Sequence, residues 1–445
     1  MESKLIFRVL MFPWLAHGHV FPFLELAKRL SRKNFKIYFC STSINLDSIK
    51  KSFNLDEFSI ELVELQLPST PELPPQYHTT KNIPPNLMPT LMQAFQDSSS
   101  NFSNIITKIK PDLLIYDAFQ PWAAKFASSQ GIPSVHFSTS GSTQFSFFHH
   151  FHTYRSFDTF PYPAIYHHEY ETRDLFTQGG SIKVKDAGKG FVFGIFDLSH
   201  EIVLIKSCKV IEDKYIDYFS ELSHKRVVPV GPLITRNNEK GNESEILKWL
   251  STKNKFSTLY ISFGSENYLS KDQIEEIANG LELSNVNFIW VLRFPIGSGF
   301  SIEDALPNGF LERVKDRGIV EEKWAPQAEI LAHENVGGFM SHCGWSSVME
   351  SVYFGVPIVA VPLKLDQPLN SRLVVEIGVG VEVKRDESGK FNGENVVEAI
   401  SKVIVEESGE GFRCKVRELS EKVKMEEEEG FDEVAEQLSN ICMEK

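Results

Sequence analysis

A chain of 445 residues exceeds what one ordinary hydrophobic core serves, which points to two domains, each able to bury a substantial apolar interior. With 42% hydrophobic and 24% charged residues and no long low-complexity block, the composition is globular and excludes a disordered chain. The net charge of -13 argues against a nucleic-acid surface and against an anionic membrane face.

The amino-terminal stretch MESKLIFRVLMFPWLAHGH is apolar but short, lacks a small-residue cleavage site and reads as a first strand at 7–12. The amphipathic FLELAKRLSRKN from Phe23 reads as a crossover helix, followed by strands at 36–40 (KIYFC), 112–117 (DLLIYD) and 134–137 (SVHF). Residues 138–200 are poorly periodic and rich in Phe, His and Tyr, which suits either an apolar pocket wall or plain helix packing. A polar, turn-rich linker spans Val230 to Ser244, and a second strand and helix series follows, with strands at 258–263, 288–293, 337–342 and 357–362. Two such α/β halves predict two doubly wound, Rossmann-like domains facing a cleft, with ligands beyond the carboxyl ends of the strands. The acidic run MEEEEG at 425–430 reads as a solvated helix face without chemistry.

The five cysteines, Cys40, Cys208, Cys343, Cys414 and Cys442, are scattered without CxxC spacing, which suggests a reducing compartment and a cytoplasmic protein. The sequons at Asn101 and Asn242 then carry little meaning, and no run of about 18 apolar residues predicts a spanning helix. His149, His150 and His152 form the densest histidine cluster, but phenylalanine neighbours and the lack of a nearby cysteine or acid pair favour a place in or beside an apolar pocket over metal binding.

The most informative local pattern is SHCGWSSVMESVYFG. A strand ends at His342, Gly344 permits a tight turn, and a helix starts near Trp345, so Ser346 and Ser347 fall in its first turn. The unpaired backbone N–H groups there, with hydroxyls beside them, suit a phosphate, while Glu350 one turn on suits a ribose diol. An ordinary capped helix with a surface glutamate would look the same from these residues alone. Cys343 has no base assigned to it and reads as a packed small residue.

The longer stretch from Trp324 to Gln367, WAPQAEILAHENVGGFMSHCGWSSVMESVYFGVPIVAVPLKLDQ, resembles the 44-residue signature of plant UDP-dependent family 1 glycosyltransferases, and the likeness extends to PWLAHGH, YDAFQPW and ISFGS. The resemblance implies a GT-B fold: an acceptor-binding domain at 1–235, a UDP-sugar-binding domain at 236–425, and a terminal helix at 426–445 returning to the first domain. It implies that Trp324 stacks on uracil, that Ala325 and Gln327 meet base and ribose, and that Glu350 takes the ribose hydroxyls. His342, Gly344 and Ser347 would hold the diphosphate with Ser265 approaching from another loop, and Trp345, Asp366 and Gln367 would bind the sugar. Ser346 stands where the family usually has Asn, a departure that leaves a hydroxyl donor for the phosphate. Gln367 is the residue that members using UDP-glucose usually carry.

The same resemblance assigns His19, just after the first strand, as general base and Asp117 as the carboxylate that orients it. An alcohol needs such a base at neutral pH, and the helix terminus with His342 and the serines would meet the charge of the leaving UDP. No Asp-x-Asp pair occurs, so neither a cofactor nor a metal is expected, and the displacement would invert the anomeric centre. Variants such as FGSE and HCGWSS resemble the branch that extends sugar chains on flavonoid, terpenoid or lignan glycosides. A plain aglycone acceptor and a non-catalytic nucleotide-sugar binding protein are the alternatives, while a dehydrogenase would need a G-x-G-x-x-G that is missing after the first strand. Partners beyond the UDP-sugar and a small acceptor are not expected, and the chain reads as a monomer.

Overall fold

The structure, a computed structural model, describes residues 6–179, 194–235, 245–295 and 299–444. Seven strands, Phe7–Phe12 (β1), Phe35–Ser41 (β2), Ile60–Glu64 (β3), Leu113–Tyr116 (β4), Ser134–Ser138 (β5), Ile202–Ile205 (β6) and Arg226–Pro229 (β7), form one sheet in the order β3-β2-β1-β4-β5-β6-β7. Six more, Thr258–Ser262 (β8), Asn287–Val291 (β9), Gly318–Glu321 (β10), Val336–Ser341 (β11), Ile358–Ala360 (β12) and Gly380–Glu382 (β13), form a second sheet in the order β10-β9-β8-β11-β12-β13. Every pairing among these strands is parallel. In each sheet the chain first builds outward from its central strand and then returns to that strand's other side. The order therefore switches between β1 and β4 and between β8 and β11, which is the doubly wound plan read from the sequence.

Strand alternation sends side chains to two cores. In β1, Phe7, Val9 and Met11 join the layer containing Val20, Phe23, Leu24 and Leu30 of the helix His17–Ser31, whereas Leu10 and Phe12 join Phe95, Phe102 and Ala123 on the opposite face. The helix Phe431–Met443 contributes Phe431, Val434, Leu438 and Ile441 to the first of these layers. In the second sheet Leu259 and Ile261 of β8 face the helix Lys271–Ser284, and Tyr260 faces Ile330 and Phe339.

The chain divides into two compact units, one of Met1–Ser156, Ile182–Lys240 and Met425–Lys445, the other of Phe157–Ser181 and Gly241–Lys424. The described residues 157–179 thus cluster with the second sheet although they precede two strands of the first. The strands not read from the sequence are β3, β6, β7, β10 and β13: β3, β7, β10 and β13 are partly exposed edge strands without a continuous apolar run, whereas β6 is fully buried but only four residues long.

Three further expectations are corrected. The first helix begins at His17, so His19 lies in a helical turn with its N–H on the Ala16 carbonyl at 2.9 Å, and Pro22 sits inside the helix. Proline there removes the N–H that would reach the Gly18 carbonyl and crowds that carbonyl, while Phe23 and Leu24 beside it are fully buried. In the stretch read as linker, Val230 and Leu233 are buried in the first core, and residues 236–244 lie outside the described residues. In the acidic run, Glu426 accepts the Lys209 and Val210 N–H groups at 2.6 and 3.1 Å, and Glu427 pairs with Arg29 at 3.3 Å. Lys209 and Val210 lie 217 and 216 residues away in sequence and Arg29 lies 398 away, so no local pattern could reveal that these two glutamates are docked.

A buried carboxylate organises the aromatic segment. The helix Ser142–Tyr154 starts at Gly141 with no side-chain cap of its own, and Glu212 supplies one. Its oxygens accept the Ser142 and Thr143 N–H groups at 3.0 and 2.7 Å and the Thr143 and Ser207 hydroxyls at 2.6 and 2.5 Å. Burial raises the Glu212 pKa, and these four donors hold the rise in check. Glu212→Ala leaves two buried N–H groups without an acceptor and is expected to lower stability by about 2–4 kcal/mol, read as a lower urea midpoint at unchanged slope.

Candidate functional site

In the first unit, β1 and β4 are neighbours with Phe12 opposite Tyr116, so the residues that follow each strand emerge side by side at the switch in strand order. Asp117 follows β4 directly and His19 lies one short loop after β1. The Asp117 Oδ2 is 2.8 Å from His19 Nδ1, and the same oxygen accepts the Trp14 N–H at 3.0 Å while Oδ1 accepts the Ala118 N–H at 2.7 Å. The aspartate side chain is 2% exposed, whereas that of the histidine is 24% exposed.

Burial by itself would raise the Asp117 pKa. The charge and hydrogen bond of His19 and the two backbone donors outweigh it and hold the carboxyl below its usual value. An ionised Asp117 accepts hydrogen bonds only, so a neutral His19 carries its proton on Nδ1 and its lone pair on Nε2, the arrangement a general base requires. Thr139, just beyond β5, sets its hydroxyl 3.2 Å from the same Nδ1, and the Phe119 ring meets the imidazole edge-on. Thr139 was not read as a site residue; like Asp117, it directly follows a strand of the first sheet. The adjacent His17 has no such setting. It packs on Phe21, and burial, aided by the charge of Lys81, lowers its pKa to about 4.

In the second unit the equivalent place lies beyond β8 and β11, where Ser262 pairs with Ser341. The His342 ring is packed between the two loops. A Cβ on Gly344 would lie 2.5 Å from its Nε2, and one on Gly264, whose φ is +78°, would lie 3.1 Å from its Cε1. Only glycine admits that approach on either side. Burial, with a smaller contribution from the charge of Lys364, lowers the His342 pKa to about 4, so at neutral pH this ring is an uncharged donor or acceptor. The helix Trp345–Phe354 begins at Gly344 without any side-chain cap, leaving its positive end open to an anion. Trp345 and Ser347 are buried and Ser346 is half-buried in its first turn. Ser265 lies half-buried in the loop after β8 and makes no side-chain hydrogen bond among the described residues.

Two smaller networks complete this region. Gln327 donates to Glu350 at 2.6 Å and accepts from the Tyr260 hydroxyl at 3.3 Å, while Trp324 is 53% exposed beside the buried Ala325. The Gln367 Oε1 accepts the Leu363 and Lys364 N–H groups at 3.0 Å each, which orients its amide nitrogen away from that loop. Asp366 accepts from Asn370 at 2.9 Å, and the same Asn370 nitrogen donates to the Cys343 carbonyl at 2.9 Å. Asn370 therefore joins the helix Gln367–Glu376 to the turn before Gly344 across 27 residues of sequence, a link that no local spacing shows. Cys343 is fully buried at φ +62°, and burial, before the charge of Glu382, raises its thiol pKa well above the usual range, which fits packing and not nucleophilic chemistry.

The histidine cluster gathers no ligand set. His150 is hydrogen-bonded to the Tyr218 hydroxyl at 2.6 Å, and among the described residues the group with ligand atoms within 4.8 Å is His200, Glu201 and Glu444.

Comparison with known proteins agrees with this architecture. Residues 227–421 match the family described as UDP-glucoronosyl and UDP-glucosyl transferase, and residues 7–235 match the glycosyltransferase N-terminal domain. Mogroside IIIx synthase of Siraitia grosvenorii is 50% identical over 439 residues, 97% of each chain. The β-D-glucosyl crocetin β-1,6-glucosyltransferase of Gardenia jasminoides is 47% identical, over 98% of this chain and 99% of its own. The crystal structure of a Glycyrrhiza uralensis UGT complexed with glycyrrhetinic acid 3-O-monoglucuronide shares the fold with a TM-score of 0.85 at 24% identity, covering 99% of this chain and 97% of that one. From its two parallel sheets to relatives that match along its whole length, the chain belongs to the plant family 1 UDP-dependent glycosyltransferases, transferases of GT-B fold.

Proposed function

We propose that this enzyme transfers glucose from UDP-glucose to a sugar hydroxyl of a plant glycoside, with inversion at the anomeric carbon and without a metal. The observation that carries the reading is the 2.8 Å pair of His19 Nδ1 and Asp117 Oδ2 at the switch point of the first sheet. His19 Nε2 takes the acceptor proton as the oxygen attacks, and Asp117 holds the tautomer and stabilises the imidazolium. The first unit then binds the acceptor and the second binds the UDP-sugar, with 426–445 closing the first.

In the second unit the roles follow the chemistry of each group. The exposed Trp324 ring offers a face to uracil, with Ala325 and Gln327 beside it, and Gln327 orients Glu350 toward the ribose. Gly344, Ser346, Ser347 and neutral His342 surround the open helix terminus as donors for the diphosphate, with Ser265 on the neighbouring loop. Asp366, Gln367 and Trp345 take the sugar. The leaving UDP is thus met by dipoles and hydrogen bonds, which supports chemistry independent of a metal and of any further cofactor. The glycoside acceptor is supported by the named substrate of the crocetin relative and by the likeness to a mogroside synthase. Five cysteines without a disulfide support a cytoplasmic location, and a monomer suffices for the chemistry described.

The test is product analysis by mass spectrometry with UDP-glucose, EDTA, and a panel of aglycones and their monoglucosides. Wild type is expected to add one hexose to monoglucosides; transfer confined to aglycones overturns the acceptor assignment. His19→Ala and Asp117→Asn are expected to lower kcat by roughly 10²–10⁴, His19→Ala with little change in thermal stability and Asp117→Asn with some loss because its amide nitrogen faces a donor, and undiminished turnover by His19→Ala overturns the assigned base. In calorimetric titrations Gly344→Ala, which forces its Cβ against His342, is expected to weaken UDP binding by about tenfold or more, and wild-type affinity would remove the helix terminus from the diphosphate site.

A further inference from the structure

The second unit contains a buried ionic cluster that no role above uses. Arg372, on the helix Gln367–Glu376, has 4% of its side chain exposed. One guanidinium nitrogen, Nη2, lies 2.8 and 3.0 Å from the two carboxylate oxygens of Glu171, and the other, Nη1, lies 2.6 Å from Glu382 Oε2. Glu171, itself 7% exposed, belongs to the helix Glu169–Gly179 in the segment that precedes β6 yet clusters with the second sheet. It also accepts the His168 N–H at 2.8 Å, so it is held from both sides. The Tyr166 ring lies 5.1 Å from the guanidinium, and Ser371 donates to the same Glu382 oxygen at 2.5 Å.

Burying such charges costs several kcal/mol each, and an apolar cluster of equal volume would serve simple stability as well or better. What the ions supply is direction: a planar guanidinium fixed by carboxylates on two sides sets the rotation and axial position of its helix. The amino end of that same helix carries Asp366, Gln367 and Asn370. Asn370 and Ser371 are adjacent, one tied to the Cys343 carbonyl and the other to Glu382, so the helix is held at both its ligand-facing end and its middle. The nucleotide contacts, Trp324, Gln327, His342 and Glu350, lie on other elements.

We propose that Glu171, acting through Arg372, is a positioning residue for the donor sugar: it sets the helix whose first turn presents Asp366 and Gln367, and it acts on the sugar more than on the nucleotide, whose side-chain contacts that helix reaches only through the Asn370 hydrogen bond to the Cys343 carbonyl. This rests on the assignment of Asp366 and Gln367 to the sugar. A segment from the half of the chain assigned to the acceptor thereby tunes how the second unit holds the transferred sugar.

The experiment compares UDP-glucose with UDP, which lacks the sugar, in calorimetric titrations of the full-length protein. Glu171→Gln keeps the shape, removes one charge and leaves Arg372 paired with Glu382. It is expected to raise the Kd for UDP-glucose about tenfold while the Kd for UDP stays within about twofold, and to raise KM for UDP-glucose more than it lowers kcat. Glu171→Asp, which restores the charge, is expected to recover part of the loss, and it carries the test if Glu171→Gln does not fold. Equal weakening of both ligands, or no change in either, overturns the proposal. Gln367→Ala separates the two levels of inference. If it weakens UDP-glucose selectively and the Glu171 variants do not, the positioning role alone fails; if it binds UDP-glucose like wild type, the sugar assignment itself fails.

Discussion

In a parallel sheet whose strand order reverses beside the first strand, the two loops leaving the central strands diverge to opposite faces and open a gap at the carboxyl edge. Side chains that must meet without belonging to one helix or one loop can meet there. Both sheets of this enzyme use that constraint. In the first, the gap brings the His19 imidazole onto Asp117 across ninety-eight residues of sequence. In the second, it packs His342 between glycines from two loops and leaves the end of the helix Trp345–Phe354 uncapped. Everything assigned to the chemistry is arranged around these two edges.

The two histidines illustrate how surroundings divide one side chain between tasks. His342 is enclosed by backbone and has no carboxylate bound to it; burial pushes its pKa down to about 4 and keeps it neutral as a hydrogen-bonding group. His19 meets an ionised carboxylate that is itself satisfied by two backbone N–H groups, so its proton is held on one nitrogen and its basicity is directed through the other.

The buried ions follow a second rule. Asp117, Glu212 and the pair of Glu171 with Arg372 are each expensive to bury and each held by several hydrogen bonds, and each joins elements that sequence keeps far apart. Glu212 caps a helix sixty-nine residues upstream, and Arg372 reaches two hundred and one residues back to Glu171. Hydrophobic layers bring these elements together without direction, whereas the ions specify orientation.

The buried strands near the sheet centres were legible because an apolar run bounded by turn residues needs no tertiary context, and β1, β4, β5, β8 and β11 were placed to within a residue or two. The turn and helix of SHCGWSSVMESVYFG were legible for the same reason: Gly344 and the residues after it carry their own local preferences. The edge strands were not, since half-exposed segments lack a one-sided pattern, nor was the start of the first helix, where Pro22 disguises a turn that core packing sustains. Thr139, Asn370, the cap by Glu212, the docking of Glu426 and the ties of residues 157–179 to the second unit were decided only by tertiary structure. Local composition determines which elements form and which face of each is apolar. Contacts between buried polar groups depend on which strands become neighbours, and that follows from the packing of the whole sheet, which no short window of sequence contains.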